Sequence, residues 1–273
     1  MSILSVMNTL SRAVLPTILI AGLLALLLAP LAGCTATKRR VLGRTVAIAN
    51  IDSVTPPRLP AHVKPSKIAP LFGVIIENAR GNVIVVTDPA ATVPEVRAKV
   101  AGLDEREHRR AGTVPAWIAA SIEKYEDINT LQVLAADPSD EQRSVDIRVV
   151  VPATAFVTVN NAQGTVELID VAGNLQVNNG VATGRGGKVI IRTDKAIKDG
   201  AAIRVRGGDA MLTFGSGSAG PIDAKARSVN IRTPANAMRN VISDRENYTG
   251  ELGRLGKPLV LRVPDGNLTL FVE

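Results

Sequence analysis

The residue best suited to chemistry in this 273-residue chain is its single cysteine, Cys34. A lone thiol cannot build an internal disulfide framework or a cysteine-based zinc cluster. As a thiolate it is a nucleophile that can take an acyl-bearing group. Small or branched residues precede it, namely Leu31, Ala32 and Gly33. Cys34 is therefore a candidate for covalent modification rather than for metal binding.

The segment before Cys34 gives this thiol a context. Met1–Arg12 carries one basic residue, Ala13–Ala29 is almost continuously apolar, and Pro30 ends the apolar run. The run is shorter than the roughly 20 residues of a membrane-spanning helix, so an uncleaved anchor is the weaker alternative. The pattern resembles a bacterial lipoprotein signal peptide over residues 1–33, with Leu31-Ala32-Gly33-Cys34 as its lipobox. The resemblance implies lipidation of Cys34 and anchoring of the mature chain outside the cytoplasm.

The formal charge of +7 raises the question of an anionic partner. Residues 34–67 hold seven basic residues against Asp52 alone, whereas residues 68–273 have no net charge. Five prolines between residues 56 and 70 favour extended chain. We therefore expect residues 34–70 to be a basic tether beside anionic lipid headgroups, and we expect no nucleic-acid partner. Thr35, in place of a retention-type Asp, favours the outer membrane if the cell is Gram-negative.

Residues 71–273 contain many short alternating segments separated by Gly, Asn and Asp turns. Two strand–turn–strand units share the pattern Asn-Ala-(Arg/Gln)-Gly-(Asn/Thr)-Val, and Asn78 of the first aligns with Asn161 of the second, 83 residues later. Units that recur in this way favour coils stacked on their neighbours. The sequence thus predicts a mainly β fold, built of stacked coils or of a repeating meander.

One stretch interrupts the pattern. Residues 104–126 open with a mixed charge run, and Thr113 is a candidate helix cap. Trp117, Ile118, Ile122 and Tyr125 then fall on one face at helical spacing. We expect a small helical insert here.

A repeated pattern consists of a strand, then Asn-x-x-Gly or Asn-Gly, then Val-x-Val or Leu-x-Val, and it occurs at Val159–Leu168, Val177–Val181 and Lys188–Thr193. In this pattern the chain resembles a bacterial family of adhesin-like cell-envelope β-strand-repeat proteins. The likeness covers about residues 71–90 and 144–273. It implies a right-handed β-solenoid-like stack of short strands, for which a β-sandwich or β-prism-like meander is the alternative. It also implies an envelope location and a structural or binding role, and it carries over no catalytic residue.

Other constellations point to no catalytic, cofactor or metal site. Gly215–Gly220 matches a dinucleotide-binding spacing, but Pro221 and a further strand follow it where a helix is required. Glu105 and His108 have no evident third metal ligand. A glycan-cleaving carboxylate pair would have to come from acids on strands or turns. The candidates are Glu167, Asp170, Asp194 and Asp209.

Five arginines on strands or next to them form the sharpest binding hypothesis. If they align on one sheet face, an anionic cell-wall or surface polymer is a plausible ligand. They are Arg192, Arg204, Arg206, Arg227 and Arg232. We expect a membrane-anchored, non-enzymatic lipoprotein with an adhesin-like or scaffolding role. The alternatives are a polysaccharide-acting enzyme and an envelope regulatory or sensory partner that docks through residues 104–126.

Overall fold

The computed structural model describes residues 70–101, 118–135, 144–180 and 186–273. These segments form sixteen strands and contain no helix, so none that could cross a membrane, and the mainly β prediction is confirmed. The strands are β1 (Leu71–Asn78), β2 (Val83–Thr87), β3 (Glu95–Ala101), β4 (Ile118–Tyr125), β5 (Ile128–Ala135), β6 (Ser144–Val151), β7 (Ala153–Asn161), β8 (Val166–Ile169), β9 (Asn174–Asn179), β10 (Val189–Arg192), β11 (Ala201–Val205), β12 (Ala210–Phe214), β13 (Gly220–Arg232), β14 (Met238–Ser243), β15 (Asn247–Leu252) and β16 (Leu259–Val272).

The strands are arranged in two wings that share their last two strands. The first wing has the order β4-β5-β1-β7-β9-β11, and the second has the order β3-β6-β2-β8-β10-β12. The long strand β16 joins them, because Leu259–Arg262 pair with β11 and Leu268–Val272 pair with β12. The equally long β13 lies beyond β16 and pairs with both of its halves.

Most neighbouring strands in the wings are parallel, and their register matches the internal alignment of the sequence. Val74 pairs with Val157 in the first wing, and Val83 pairs with Val166 in the second, an offset of 83 residues in each case. The β1–β2 unit therefore lies on the β7–β8 unit as the shared Asn-x-x-Gly pattern predicts. A β-meander is wrong for the described residues, because consecutive strands of a meander pair antiparallel with each other. The right-handed solenoid-like form stays a prediction.

The core lies on the inner faces of the two wings. Alternate residues of each wing strand are buried, and they join one continuous cluster of Val, Ile, Leu and Ala with Phe72 and Phe214 as its bulkiest members. Each fully buried aliphatic or aromatic side chain contributes about 1.5–3 kcal/mol relative to an exposed one. The low aromatic content of 3% is therefore compatible with a packed core, because small branched side chains fill closely stacked strands.

The order of strands in space differs from their order in the chain. β16 is last in sequence but lies between β11–β12 and β13, and β5–β6 stack outside β1–β2. Pro264, Asp265 and Gly266 have the composition of a turn but do not end the strand, because β16 continues through them and changes wing there. These three residues bend the strand where it passes from the first wing to the second, and they do not reverse its direction.

The predicted helix is wrong over residues 118–125, which form β4 and pair antiparallel with β5. Ile118, Ala120 and Ile122 alternate into the core. Ile118 and Ile122 are four residues apart, a spacing that puts both on one face of a helix and also on one face of a strand. Ala120, halfway between them, is buried as well, which is the alternation of a strand. Residues 104–117 of the predicted insert lie outside the described residues.

A column of glycines turns the chain between the wings. Gly81 and Gly164 occupy equivalent corners with φ of 120° and 121°, a conformation that favours glycine. A Cβ on Gly164 would lie 2.1 Å from the carbonyl oxygen of Gly81, and one on Gly187 would lie 2.4 Å from that of Gly164. The corners can stack at strand spacing only because these positions lack side chains.

Candidate anion-binding face

The five predicted arginines do not share one sheet face. Arg204 points outward from the first wing, whereas Arg192 and Arg232 lie on the outer face of the second wing. Arg206 follows β11, and Arg227 lies at the register break of β13, so both lie where the chain passes between the wings. The single patch that the sequence suggested is therefore divided.

The outer face of the first wing carries a continuous row of polar side chains, which we call the polar row. Each member is the register partner of the next, on consecutive strands of the wing. The row runs Glu77, Asn160, Asn178, Arg204, Arg262, Lys225. Adjacent parallel strands are about 4.8 Å apart, so the row is a regular ladder of polar groups.

The polar row is basic at one end. Arg204, Arg262 and Lys225 are direct neighbours on three adjacent strands. Like charges placed directly opposite each other on a sheet are destabilising. The Arg262 guanidinium relieves part of this repulsion, since it forms an ion pair with the Asp223 carboxylate and donates to the Asp223 carbonyl oxygen at 2.7 Å. Among the described residues, no carboxylate lies within ion-pair distance of Arg204 or Lys225.

Amides occupy the middle of the polar row. Asn178 Nδ2 donates to Asn160 Oδ1 at 2.9 Å, so the two exposed side chains form one rung of a ladder. The basic end and the amide rungs together present donors at strand spacing along one flat face. This arrangement suits a polymer with repeated anionic groups better than a compact ligand, because no enclosing wall is required.

Three asparagines near the turns of the first wing are buried, unlike those of the polar row. Asn78, Asn161 and Asn179 are in register with one another and buried. Asn179 Oδ1 accepts from Asn161 Nδ2 at 3.1 Å, and Asn179 Nδ2 donates to the carbonyl oxygens of Gly164 and Gly187, each at 2.9 Å. Asn78 Nδ2 donates to the Val145 carbonyl oxygen at 3.1 Å. These three asparagines are therefore structural, and because they are buried they form no solvent-facing binding strip.

Three of the four candidate acids have identified bonding partners, and Asp170 acts on Lys195 together with Asp194. Glu167 forms an ion pair with Arg192 at 2.6 Å, and Asp209 Oδ1 accepts the backbone N–H of Asn267 at 2.8 Å. Asp194 lies 2.7 Å from Lys195 Nζ, and its hydrogen bond is the main cause that raises the pKa of Lys195. Asp170 lies in a turn with φ of 55°.

A cavity of about 300 Å³ opens on the outer face of the second wing, between β2, β3 and β6. Arg97, Lys99 and Arg148 line it around the side chain of Ile84. Its lining acid, Asp146, is already engaged, because Asp146 Oδ1 accepts the Asn82 N–H at 2.8 Å. Arg97 of the lining pairs with Glu95. The described segments contain no group of three His, Cys, Asp or Glu side chains that could hold a metal ion.

Several predicted features fall outside the described residues. They are the lipobox Leu31, Ala32, Gly33 and Cys34, the basic tether up to residue 69, and the residues Glu105, His108 and Trp117.

Two members of the basic end, Arg262 and Lys225, were missed by sequence reasoning. Strand alternation was enough to turn both side chains outward, at Leu259–Val263 and Pro221–Lys225. The sequence did not show which strands are neighbours in the sheet, and Arg262 lies beside Arg204 only because the last strand inserts between β11 and β13.

Comparisons with known proteins give weak likenesses. No family model matches the chain, and no curated protein matches it. A solved structure from Clostridium sporogenes, named a "putative cell adhesion protein", is similar with a TM-score of 0.48 and 10% identity, covering 77% of this chain and 96% of that chain. A "putative adhesin" from Bacteroides fragilis is similar with a TM-score of 0.32 and 11% identity, covering 76% and 99%. With TM-scores below 0.5, neither likeness bears on the function of this chain.

Proposed function

We propose that this chain is a cell-envelope lipoprotein that binds an anionic cell-wall or surface polymer through the basic end of the polar row. Its role is non-enzymatic, of an adhesin-like or scaffolding kind. The acyl chains on Cys34 hold it to the membrane, the basic tether spans the headgroup region, and a right-handed solenoid-like stack carries the polar row. The outer membrane is its location if the cell is Gram-negative.

The observation that carries the binding proposal is the contiguity of Arg204, Arg262 and Lys225 on three adjacent strands. Two carboxylates lie near these three cations: Asp223 pairs with Arg262, and the charge of Lys225 helps to lower the pKa of Asp244. The cations still outnumber the acids, which leaves positive potential on one face of a body whose net charge is zero. A chain of anionic groups would reduce the repulsion between them. Its binding would release counterions and would therefore weaken as salt increases.

Binding to purified envelope polymers tests this proposal. We expect Arg204→Ser with Lys225→Ser to weaken binding to a teichoic acid or a lipopolysaccharide by about tenfold at low salt, because both cations are lost. The matched control is Arg192→Ser with Arg232→Ser, which removes the same charge from the second wing and should leave binding nearly unchanged. Equal losses in the two double variants would refute a role specific to the polar row.

The anchor is tested separately. Cys34→Ser removes the thiolate that would take the lipid, so we expect loss of labelling by a radioactive fatty acid and release of the chain from the membrane fraction. Blotting of fractionated cells reads out both effects. A variant that is still labelled and still sediments with membranes would refute the lipoprotein proposal.

A further inference from the structure

Three of the four wing ends of the stack are closed by antiparallel strands. In the first wing, antiparallel β4 closes one end and the antiparallel pair β15 and β14 closes the other. Antiparallel β3 closes one end of the second wing. At the other end, β13 from Ser228 to Arg232 pairs with β16 on one side, and the described residues provide no strand for its other side. One end of the second wing is therefore an open sheet edge.

The backbone at this edge points its polar groups outward. The Val229 N–H is directed away from β16 and donates to the Arg245 carbonyl oxygen at 3.0 Å. Because alternate residues of a strand direct their N–H and C=O groups to the same side, those of Ile231 point to the open edge as well. The Arg245 carbonyl already takes the Val229 N–H, so the open backbone groups at this edge are those of Ile231. Open edge groups of this kind are a template for a further strand.

The side chains at the edge are also incompletely covered. Val229 and Ile231 are only partly buried, whereas their partners Leu268 and Leu270 on β16 are 1% and 0% exposed. Another layer of apolar side chains would complete the burial. Four-residue strands such as β8 and β10 already serve as layers elsewhere in the stack, so a short strand is sufficient.

The charges around the edge define the partner. Arg227, Arg232 and Arg245 are exposed beside it, and Arg232 lies 5.4 Å from the ring centroid of Phe271. The neighbouring acids are Asp244 and Glu246. Asp244 already accepts the N–H groups of Glu246 and Asn247, each at 2.7 Å, and the bond from Asn247 is the main cause that lowers the pKa of Asp244.

We propose that the Ser228–Arg232 edge binds an extended polypeptide strand of another protein in which aliphatic and acidic residues alternate. The aliphatic side chains cover Val229 and Ile231, the backbone pairs with Ile231, and the acidic side chains on the outer face lie beside Arg232. Main-chain hydrogen bonds give such strand addition its affinity, and the alternate side chains give it specificity. A second copy of this chain is disfavoured, because antiparallel pairing of two such edges would bring their arginines together.

Peptide binding to the full-length chain in a non-ionic detergent tests the proposal. The probes are a labelled Glu-Val-Glu-Val-Glu-Val-Glu peptide and the equivalent Lys-Val peptide, followed by fluorescence anisotropy. We expect the acidic peptide to bind at least about tenfold more tightly. Arg232→Glu should weaken its binding by about tenfold, whereas Arg204→Glu, the same charge change on the first wing, should not.

A second variant separates edge pairing from general attraction. Ile231→Pro removes a donor that faces away from β16, so the protein should melt within a few degrees of the parent while peptide binding is lost. Equal binding of the two peptides, or binding that survives both Arg232→Glu and Ile231→Pro, would overturn the proposal. So would a dimer in sedimentation experiments that Ile231→Pro dissociates, because it would assign the edge to a second copy. The polar row is untouched by either variant, so the two proposals can fail independently.

Discussion

Replacing Gly164 with alanine is expected to destabilise the protein by about 4 kcal/mol, which corresponds to a fall of about 12 °C in Tm for a body of this size. Gly164 has a φ of 121°, and an added Cβ would lie 2.1 Å from the carbonyl oxygen of Gly81 and 2.6 Å from its carbonyl carbon. Backbone atoms cannot move aside without shifting the layer below. Thermal unfolding followed by circular dichroism measures the effect.

Gly217→Ala is the matched control for this substitution. Gly217 also has a positive φ, of 80°, but the nearest atom to an added Cβ is the Ala196 Cβ at 3.8 Å. The control therefore incurs the conformational strain without the steric overlap, and it should cost about 1–2 kcal/mol. If both variants melt at the same temperature, the close stacking of the corner glycines is not what makes Gly164 necessary for stability.

The second large effect is expected at Asn179, whose side chain is fully buried. Its amide nitrogen donates to the carbonyl oxygens of Gly164 and Gly187, and its oxygen accepts from Asn161. Asn179→Ala removes these bonds and the buried side chain that makes them, leaving the half-buried Gly187 carbonyl and the buried Asn161 amide without this partner, while the Gly187 N–H still donates to the Gly164 carbonyl. We therefore expect a loss of about 3 kcal/mol in the free energy of unfolding. Denaturant titration at constant m value measures it.

The adjacent Asn178 offers a control of the same residue type. It is exposed on the outer face, where its side chain bonds to Asn160 at 2.9 Å. Asn178→Ala should change the free energy of unfolding by less than about 0.5 kcal/mol, because water replaces the lost bond. Similar losses for the two alanine variants would contradict a structural role confined to the buried ladder.

These two predictions depend on features that the sequence did reveal. The alignment of Asn78 with Asn161 and the glycine three residues after each predicted a strand–turn–strand unit, and the strands pair at that same offset of 83 residues. A repeated turn pattern fixes register because a one-residue slip would move every inward side chain to the solvent face. Local pattern was therefore sufficient to predict how the β1–β2 and β7–β8 units pair.

Long-range order was harder to predict. β16, the last strand of the chain, inserts next to β11 and β12, and that insertion brings Arg262 beside Arg204. No turn or spacing in the sequence specifies which strand a distant segment will join, because the backbone groups of all parallel neighbours are alike. The five predicted arginines were consequently grouped by type, although they lie on different wings.

The helix predicted over residues 118–125 failed for a different reason. An apolar spacing of four satisfies both a helix face and every second position of a strand. The pairing of β4 with β5 resolved the ambiguity, because it satisfies the strand backbone along its whole length from Ile118 to Tyr125.

The central claim is that an anionic polymer lies along the basic end of the polar row, and arginine footprinting tests it most directly. The full-length chain is treated with phenylglyoxal with and without bound polymer, and modification of each arginine is measured by mass spectrometry. We predict that the polymer protects Arg204, on the polar row, and leaves Arg192, on the second wing, as reactive as before. Protection of Arg192 with no change at Arg204 would contradict the account.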